Sequence, residues 1–133
     1  VVKNWLVAII DDESDIVNLF RAALSKIRGV SIFTFTDPVV AFEHFTIYKN
    51  AYVLIISDLK MPGLNGVELI NKMKNLNPLV RTLLMTAFEV DDVVFEEYVK
   101  NEIINGFLQK PIKLRDLCSE VKKQINIYKR GRK

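Results

Sequence analysis

Asp11, Asp12, Asp58, Thr86 and Lys110 each stand at the end of a short apolar run. Together these types can do phosphoryl chemistry. Clustered carboxylates repel one another unless a cation or proton intervenes, so three aspartates brought together call for a hard metal ion. Mg²⁺ suits them: it takes a few carboxylates, keeps waters and completes its shell with a phosphate oxygen; Mn²⁺ is the natural substitute. Lys110 can place a point charge on one phosphoryl oxygen, and Thr86 a hydroxyl donor on another. An aspartate can itself be the nucleophile and form an acyl phosphate. Taken singly, each residue has an ordinary reading. Asp11 or Asp12 could cap a helix, Asp58 could sit in a turn, Thr86 could be a cap and Lys110 a surface lysine. Their recurrence at successive apolar runs, in a consistent order, favours the functional reading.

The elements that would position them follow from the hydrophobic pattern. Strand-like runs at Trp5–Ile10, Val30–Phe35, Tyr52–Ser57, Val80–Met85 and Gly106–Gln109 are short and rich in Val, Ile, Leu and Phe. That composition marks strands covered on both faces of a parallel sheet. Ile16, Leu19, Phe20, Ala23, Leu24 and Ile27 follow the i, i+3, i+4 spacing of a first helix. Asp37-Pro38 opens a second, with a capping residue before a first-turn proline. A third is expected from about Gly66 to Asn75, a fourth over roughly Val90–Lys100, and a fifth from Lys113 to about Tyr128. Strands alternating with helices across short loops predict a right-handed parallel α/β sheet with helices on both faces. Ligands of such sheets bind outside the C-terminal ends of the strands, where the five residues fall.

Composition narrows the alternatives. At 133 residues and half apolar, the chain suits one compact domain with a substantial core. No apolar run approaches the roughly 18–20 residues that cross a bilayer, so no membrane insertion is expected. Cys118 is the only cysteine and His44 the only histidine. That leaves no internal disulfide, no cysteine zinc site and no multi-histidine centre, and suits a reducing cytoplasm. A Cys118–His44 catalytic pair is conceivable, but Cys118 occupies an apolar helix spacing where a buried thiol is ordinary. Residues 1–121 hold all 16 acids against 13 of the 19 bases, a net −3, while residues 122–133 hold the other six bases and no acid. A basic tail can touch nucleic acid or anionic lipid, and equally can be a solvated helix end or linker stub. The expected division is therefore a domain over 1–128 and a basic tail or linker stub over 129–133.

Asp11-Asp12, Asp58 within Ser-Asp-Leu-Lys-Met-Pro-Gly-Leu-Asn-Gly, Met85-Thr86-Ala87 and Lys110-Pro111 resemble the receiver domains of two-component response regulators over residues 4–128. The resemblance implies a flavodoxin-like, CheY-like fold: a doubly wound five-stranded parallel sheet in the order 2-1-3-4-5, flanked by five helices. It implies that Asp58 accepts a phosphoryl group from a histidine kinase. Mg²⁺ would be held by Asp12, Asp58 and the Lys60 backbone carbonyl, with Asp11 acting directly or through water. Lys110 would precede a cis-prolyl turn. Thr86 and Phe107 would form the switch that carries the change to the face of the fourth helix, fifth strand and fifth helix. Lys60 and Phe88 occupy the two positions that tune phosphoryl lifetime, and bulky Phe88 would lengthen it by hindering the attacking water. Such a domain is regulatory rather than an enzyme, with Mg²⁺-dependent self-phosphorylation from phosphodonors and autodephosphorylation. Where the family usually shows a Gly-Ala pair before the fifth strand, this chain has Ile103-Ile104, and Gly106 stands next to Phe107.

Partners by the same resemblance are a histidine kinase and a downstream protein target or tethered output domain. A stand-alone receiver and the N-terminal receiver of a longer regulator are both open. Direct nucleic-acid binding by this domain alone is not expected, because no helix-turn-helix, zinc finger or RNA-binding aromatic motif accompanies the tail. A homodimer could set Asp91, Asp92, Glu96 and Glu97 of the fourth helix against Lys113, Arg115, Lys122 and Lys123 of the fifth. The alternative function is a receiver-like interaction module that works without phosphorylation. A haloacid-dehalogenase-type hydrolase would want an aspartate where Lys60 stands. A nucleotide fold would want a glycine-rich loop where Asp11-Asp12-Glu13 stand.

Overall fold

The computed structural model describes residues 4–87 and 93–131. Ten elements alternate: β1 (Trp5–Ile10), α1 (Ser14–Leu24), β2 (Val30–Phe35), α2 (Pro38–Tyr48), β3 (Tyr52–Asp58), α3 (Gly66–Leu76), β4 (Arg81–Thr86), α4 (Val93–Lys100), β5 (Gly106–Gln109) and α5 (Leu114–Gly131). The strands form one sheet in the order β2-β1-β3-β4-β5, with every neighbouring pair parallel. Because all five run the same way, their C-terminal ends share one edge, and that edge gathers the residues singled out above.

The hydrophobic pattern explains the layering. β3, at the centre, is buried at all seven positions, which is why Tyr52–Ile56 form an apolar run rather than an alternation. Its side chains divide between two cores. Leu54 and Ile56 pack with Phe20 and Leu24 of α1 and Leu117, Val121 and Ile125 of α5. Ile55 packs on the other face with Phe45 of α2, Leu69 and Met73 of α3, and Phe95 of α4.

Several boundaries differ from the pattern-based ones. β3 takes in Asp58, and β4 runs Arg81–Thr86, one residue later than expected at each end. α1 stops at Leu24, and Ile27 caps a turn by donating its N–H to the Leu24 carbonyl at 3.0 Å. α5 continues past Tyr128 to Gly131, so Lys129 and Arg130 ride on its last turn. The expected start of α4 at Val90 lies outside the described residues, as do Phe88, Asp91, Asp92, Arg132 and Lys133.

Local capping agrees with the residue types. The Asp37 side chain accepts the Val39 N–H at 2.9 Å ahead of α2, and the Asn65 side chain accepts the Glu68 N–H at 2.9 Å ahead of α3. His44 of α2 sits among the rings of Phe33, Phe35, Tyr48 and Tyr52. Its Nδ1 lies 2.7 Å from the Tyr52 hydroxyl, and burial lowers its pKa. Cys118 is half-buried on α5, on the other face of the sheet, with Sγ 3.8 Å from the Ala23 carbonyl. The two residues therefore make no catalytic pair. No helix among the described residues is long and apolar enough to cross a membrane.

Candidate functional site

Backbone hydrogen bonds between adjoining strand ends bring the predicted residues together. The Asp11 N–H donates to the Phe35 carbonyl at 3.1 Å, the Leu59 N–H to Met85 at 2.9 Å, and the Lys110 N–H to Thr86 at 2.8 Å. Register completes the arrangement: Ile10 pairs with Ser57, Asp58 with Met85, and Thr86 with Gln109. Asp11, Asp58, Thr86 and Lys110 thus stand side by side across four strands.

Asp58, Thr86 and Lys110 border a cavity of about 410 Å³, also lined by Asp12, Glu13, Leu59, Lys60 and Ala87. Asp11 lies beneath, fully buried. One of its oxygens accepts the Glu13 N–H at 3.0 Å and the other lies 3.4 Å from the Lys110 ammonium. Lys110 Nζ also reaches Asp58 Oδ1 at 3.1 Å. A single cation therefore bridges two of the three carboxylates.

The electrostatics follow from this packing. Burial pushes the Asp58 carboxyl up, and the Asp11 charge adds to it, against the opposing hydrogen bond and charge of Lys110. Burial alone would lower Lys110, but the hydrogen bond it donates to Asp58 and the charges of Asp11 and Asp58 outweigh it and raise the ammonium.

Asp11, Asp12 and Asp58 each offer an oxygen such that the three lie within 4.8 Å of one another. Two are buried and Asp12 is exposed. An all-oxygen set of this size, open to water on one side, fits Mg²⁺, which keeps several waters and uses few carboxylates.

The remaining predicted positions fall as follows. Thr86 is buried at the end of β4. Lys60 lines the cavity just after β3. Lys110–Pro111 is a cis peptide bond. Phe107 is half-buried on β5 with its ring 5.2 Å from that of Phe95 on α4, so it does join the two elements the switch would use. Glu96 and Glu97 of α4, Lys113 just before α5, and Arg115, Lys122 and Lys123 of α5 are exposed.

Gly66 is a site residue that pattern reading treated only as a helix start. Its N–H donates to the Leu59 carbonyl at 2.8 Å, and a Cβ there would collide with the Asp58 main-chain carbonyl. Its place in the stretch following Asp58 was visible, but the close approach is a property of the folded backbone.

Comparison with known proteins agrees with this geometry. The family model described as "Response regulator receiver domain" matches residues 7–122. Regulatory protein VanRB of Enterococcus faecalis is 30% identical over 115 residues, covering 86% of this chain and 50% of that protein. Sporulation initiation phosphotransferase F of Bacillus subtilis is 26% identical over 122 residues, covering 92% of this chain and 94% of that one. The chain thus spans half the length of the first relative and nearly all of the second. A response regulator receiver domain protein from Clostridium thermocellum superposes with a TM-score of 0.81 at 26% identity, covering 94% of this chain and 97% of that structure. With the sheet order, the strand-end site and these matches in agreement, the chain belongs to the response regulator receiver domain family of two-component signalling.

Proposed function

We propose that this receiver is a phosphorylation-dependent switch that takes a phosphoryl group on Asp58. The observation that carries the reading is the joint placement of Asp58 against Lys110, beside Asp11, Asp12 and Thr86, at the edge of a cavity with room for a phosphoryl group. An Asp58 carboxylate oxygen attacks the phosphorus of a phosphohistidine on a partner kinase. The P–N bond breaks, the imidazole leaves with a proton, and an aspartyl phosphate forms. Lys110 meets one phosphoryl oxygen with its charge, and the Thr86 hydroxyl meets another. Asp11, Asp12 and Asp58, with the Lys60 carbonyl, would hold Mg²⁺. When bound, the ion offsets their repulsion and neutralises charge on the transferring group. The protein's own share is orientation and preset charge.

The switch runs through Thr86 and Phe107 to the α4–β5–α5 face, where Phe107 already packs on Phe95 of α4. Differential stabilisation of one arrangement by the phosphoryl group shifts a pre-existing equilibrium. The downstream protein, tethered or separate, reads that face. A dimer that sets Glu96 and Glu97 against the partner's Lys113, Arg115, Lys122 and Lys123 belongs to the same reading.

The test is transfer from an autophosphorylated histidine kinase. Loss of radiolabelled phosphate from the kinase with matching gain by the receiver, abolished in Asp58→Asn, supports the reading. Target binding that is unaffected by the kinase, with no transfer, would support a phosphorylation-independent module instead.

A further inference from the structure

A second set of charged side chains lies at the opposite end of the sheet from Asp58, and the switch makes no use of it. A cavity of about 190 Å³ opens between the end of α3, the start of β4, the segment before β5 and the last turns of α5. That is roughly the space of six waters, enough for one small anion. Lys74 and Arg81 line it, both half-buried, together with Asn105 and Glu102.

Both cations are held in place. Lys74 Nζ donates to Asn105 Oδ1 at 3.0 Å, and the same oxygen accepts the Thr82 N–H at 2.9 Å. Arg81 Nε donates to Gln124 Oε1 at 2.8 Å, and buried Gln124 donates in turn to Glu120 Oε1 at 3.0 Å. These bonds orient the cations without neutralising them. Among the described residues no carboxylate lies within ion-pair distance of Lys74 or Arg81. No acceptor there takes the Arg81 Nη groups, and Asn105 takes only one of the three Lys74 hydrogens.

Two half-buried like charges side by side are costly unless an anion meets them. Burial and the neighbouring Arg81 charge pull the Lys74 ammonium down to about 8. Glu102, at an exposed position, attracts both cations and Glu120 attracts Arg81, each from beyond ion-pair distance. Glu102 and the carbonyl end of α5 oppose an incoming anion, whereas the forked guanidinium and the ammonium favour one.

We propose that this cavity binds a small oxyanion, a carboxylate or a phosphate, between the Arg81 Nη groups and Lys74 Nζ. The cavity lies at the other end of β4 from the aspartate site and shares no lining residue with it.

The experiment is an amide chemical-shift titration of the unphosphorylated chain with inorganic phosphate or with acetate, at constant ionic strength against chloride. Thr82 and Asn105 report on this cavity, while Thr86 and Lys110 report separately on the aspartate site. The proposal expects saturating shifts at Thr82 and Asn105, and the anion that saturates at lower concentration names the source. Lys74→Met and Arg81→Lys should each weaken binding roughly tenfold, the worth of one charge-assisted hydrogen bond. Glu102→Gln, at an exposed position, should tighten it. Shifts that chloride reproduces, or that never saturate, overturn the proposal. So does unchanged affinity in Lys74→Met and Arg81→Lys; should neither fold, unchanged affinity in Glu102→Gln decides against it.

Discussion

Gly66 lies so close to Asp58 that a Cβ at residue 66 would strike the Asp58 main-chain carbonyl. The first turn of α3 is thereby set against the backbone that aims the phospho-acceptor. Gly66→Ala should cost about 1–3 kcal/mol, as overpacking of a tight contact does. It should also slow phosphorylation by shifting Asp58 relative to Lys110. Urea unfolding and the rate of phosphoryl uptake check both; an alanine variant with parental stability would show that the contact relaxes freely.

The three carboxylates make the site a source of instability when no divalent ion is present. Asp58→Asn removes a charge that burial and Asp11 already disfavour, so the variant should unfold at higher urea than the parent in metal-free buffer. Mg²⁺ should narrow the difference, stabilising the parent by about 1.4 kcal/mol at ten times its dissociation constant. A parent indifferent to Mg²⁺ would count against the metal assignment.

Lys74 provides a pH test away from the aspartates. Its folded pKa is about 8, below the ordinary 10.5, so the folded state favours the neutral amine. Below pH 8 both folded and unfolded chains carry the charge, and the full penalty is present. Between about 8 and 10.5 the unfolded state binds more protons, so this residue's contribution to stability improves as pH rises. Lys74→Met should therefore exceed the parent in stability at neutral pH, by ~1 kcal/mol after discounting for solvent screening. The advantage should fade above pH 10. A difference independent of pH would mean that packing, not charge, dominates there.

The family match ends at residue 122, but the core does not. Gln124, Ile125 and Tyr128 are buried beyond it, and Tyr128 meets Trp5 of β1 edge-on with ring centroids 5.6 Å apart. A chain ending at Lys122 should lose roughly 3–5 kcal/mol, the scale of deleting large core side chains. Thermal unfolding of the two lengths measures this. Equal stability would place the functional boundary of the domain earlier than α5 suggests.

Much of this architecture can be read from residue patterns, and the failures are instructive. β3 is legible because a strand covered on both faces must be apolar throughout. Ile27 shows the opposite case. It keeps the helical spacing of α1, yet the chain has already turned, with Gly29 at φ +82° completing the exit; a packed turn and a further helical turn bury the same side chain. Asp11 and Asp12 were legible as a pair but not as individuals. Only the folded chain shows Asp11 fully buried against Lys110 while Asp12 faces solvent. The Lys74–Arg81 pairing was invisible to local pattern, because its positioning depends on Asn105 and Gln124, far along the chain.

The central claim is a phosphoryl group on Asp58, and intact-protein mass tests it most directly. After incubation with acetyl phosphate and Mg²⁺, the account predicts a gain of one phosphoryl group. The gain should vanish without Mg²⁺ and in Asp58→Asn. An unmodified parent, under conditions where a known receiver is fully modified, or an equally modified Asp58→Asn variant, would contradict it.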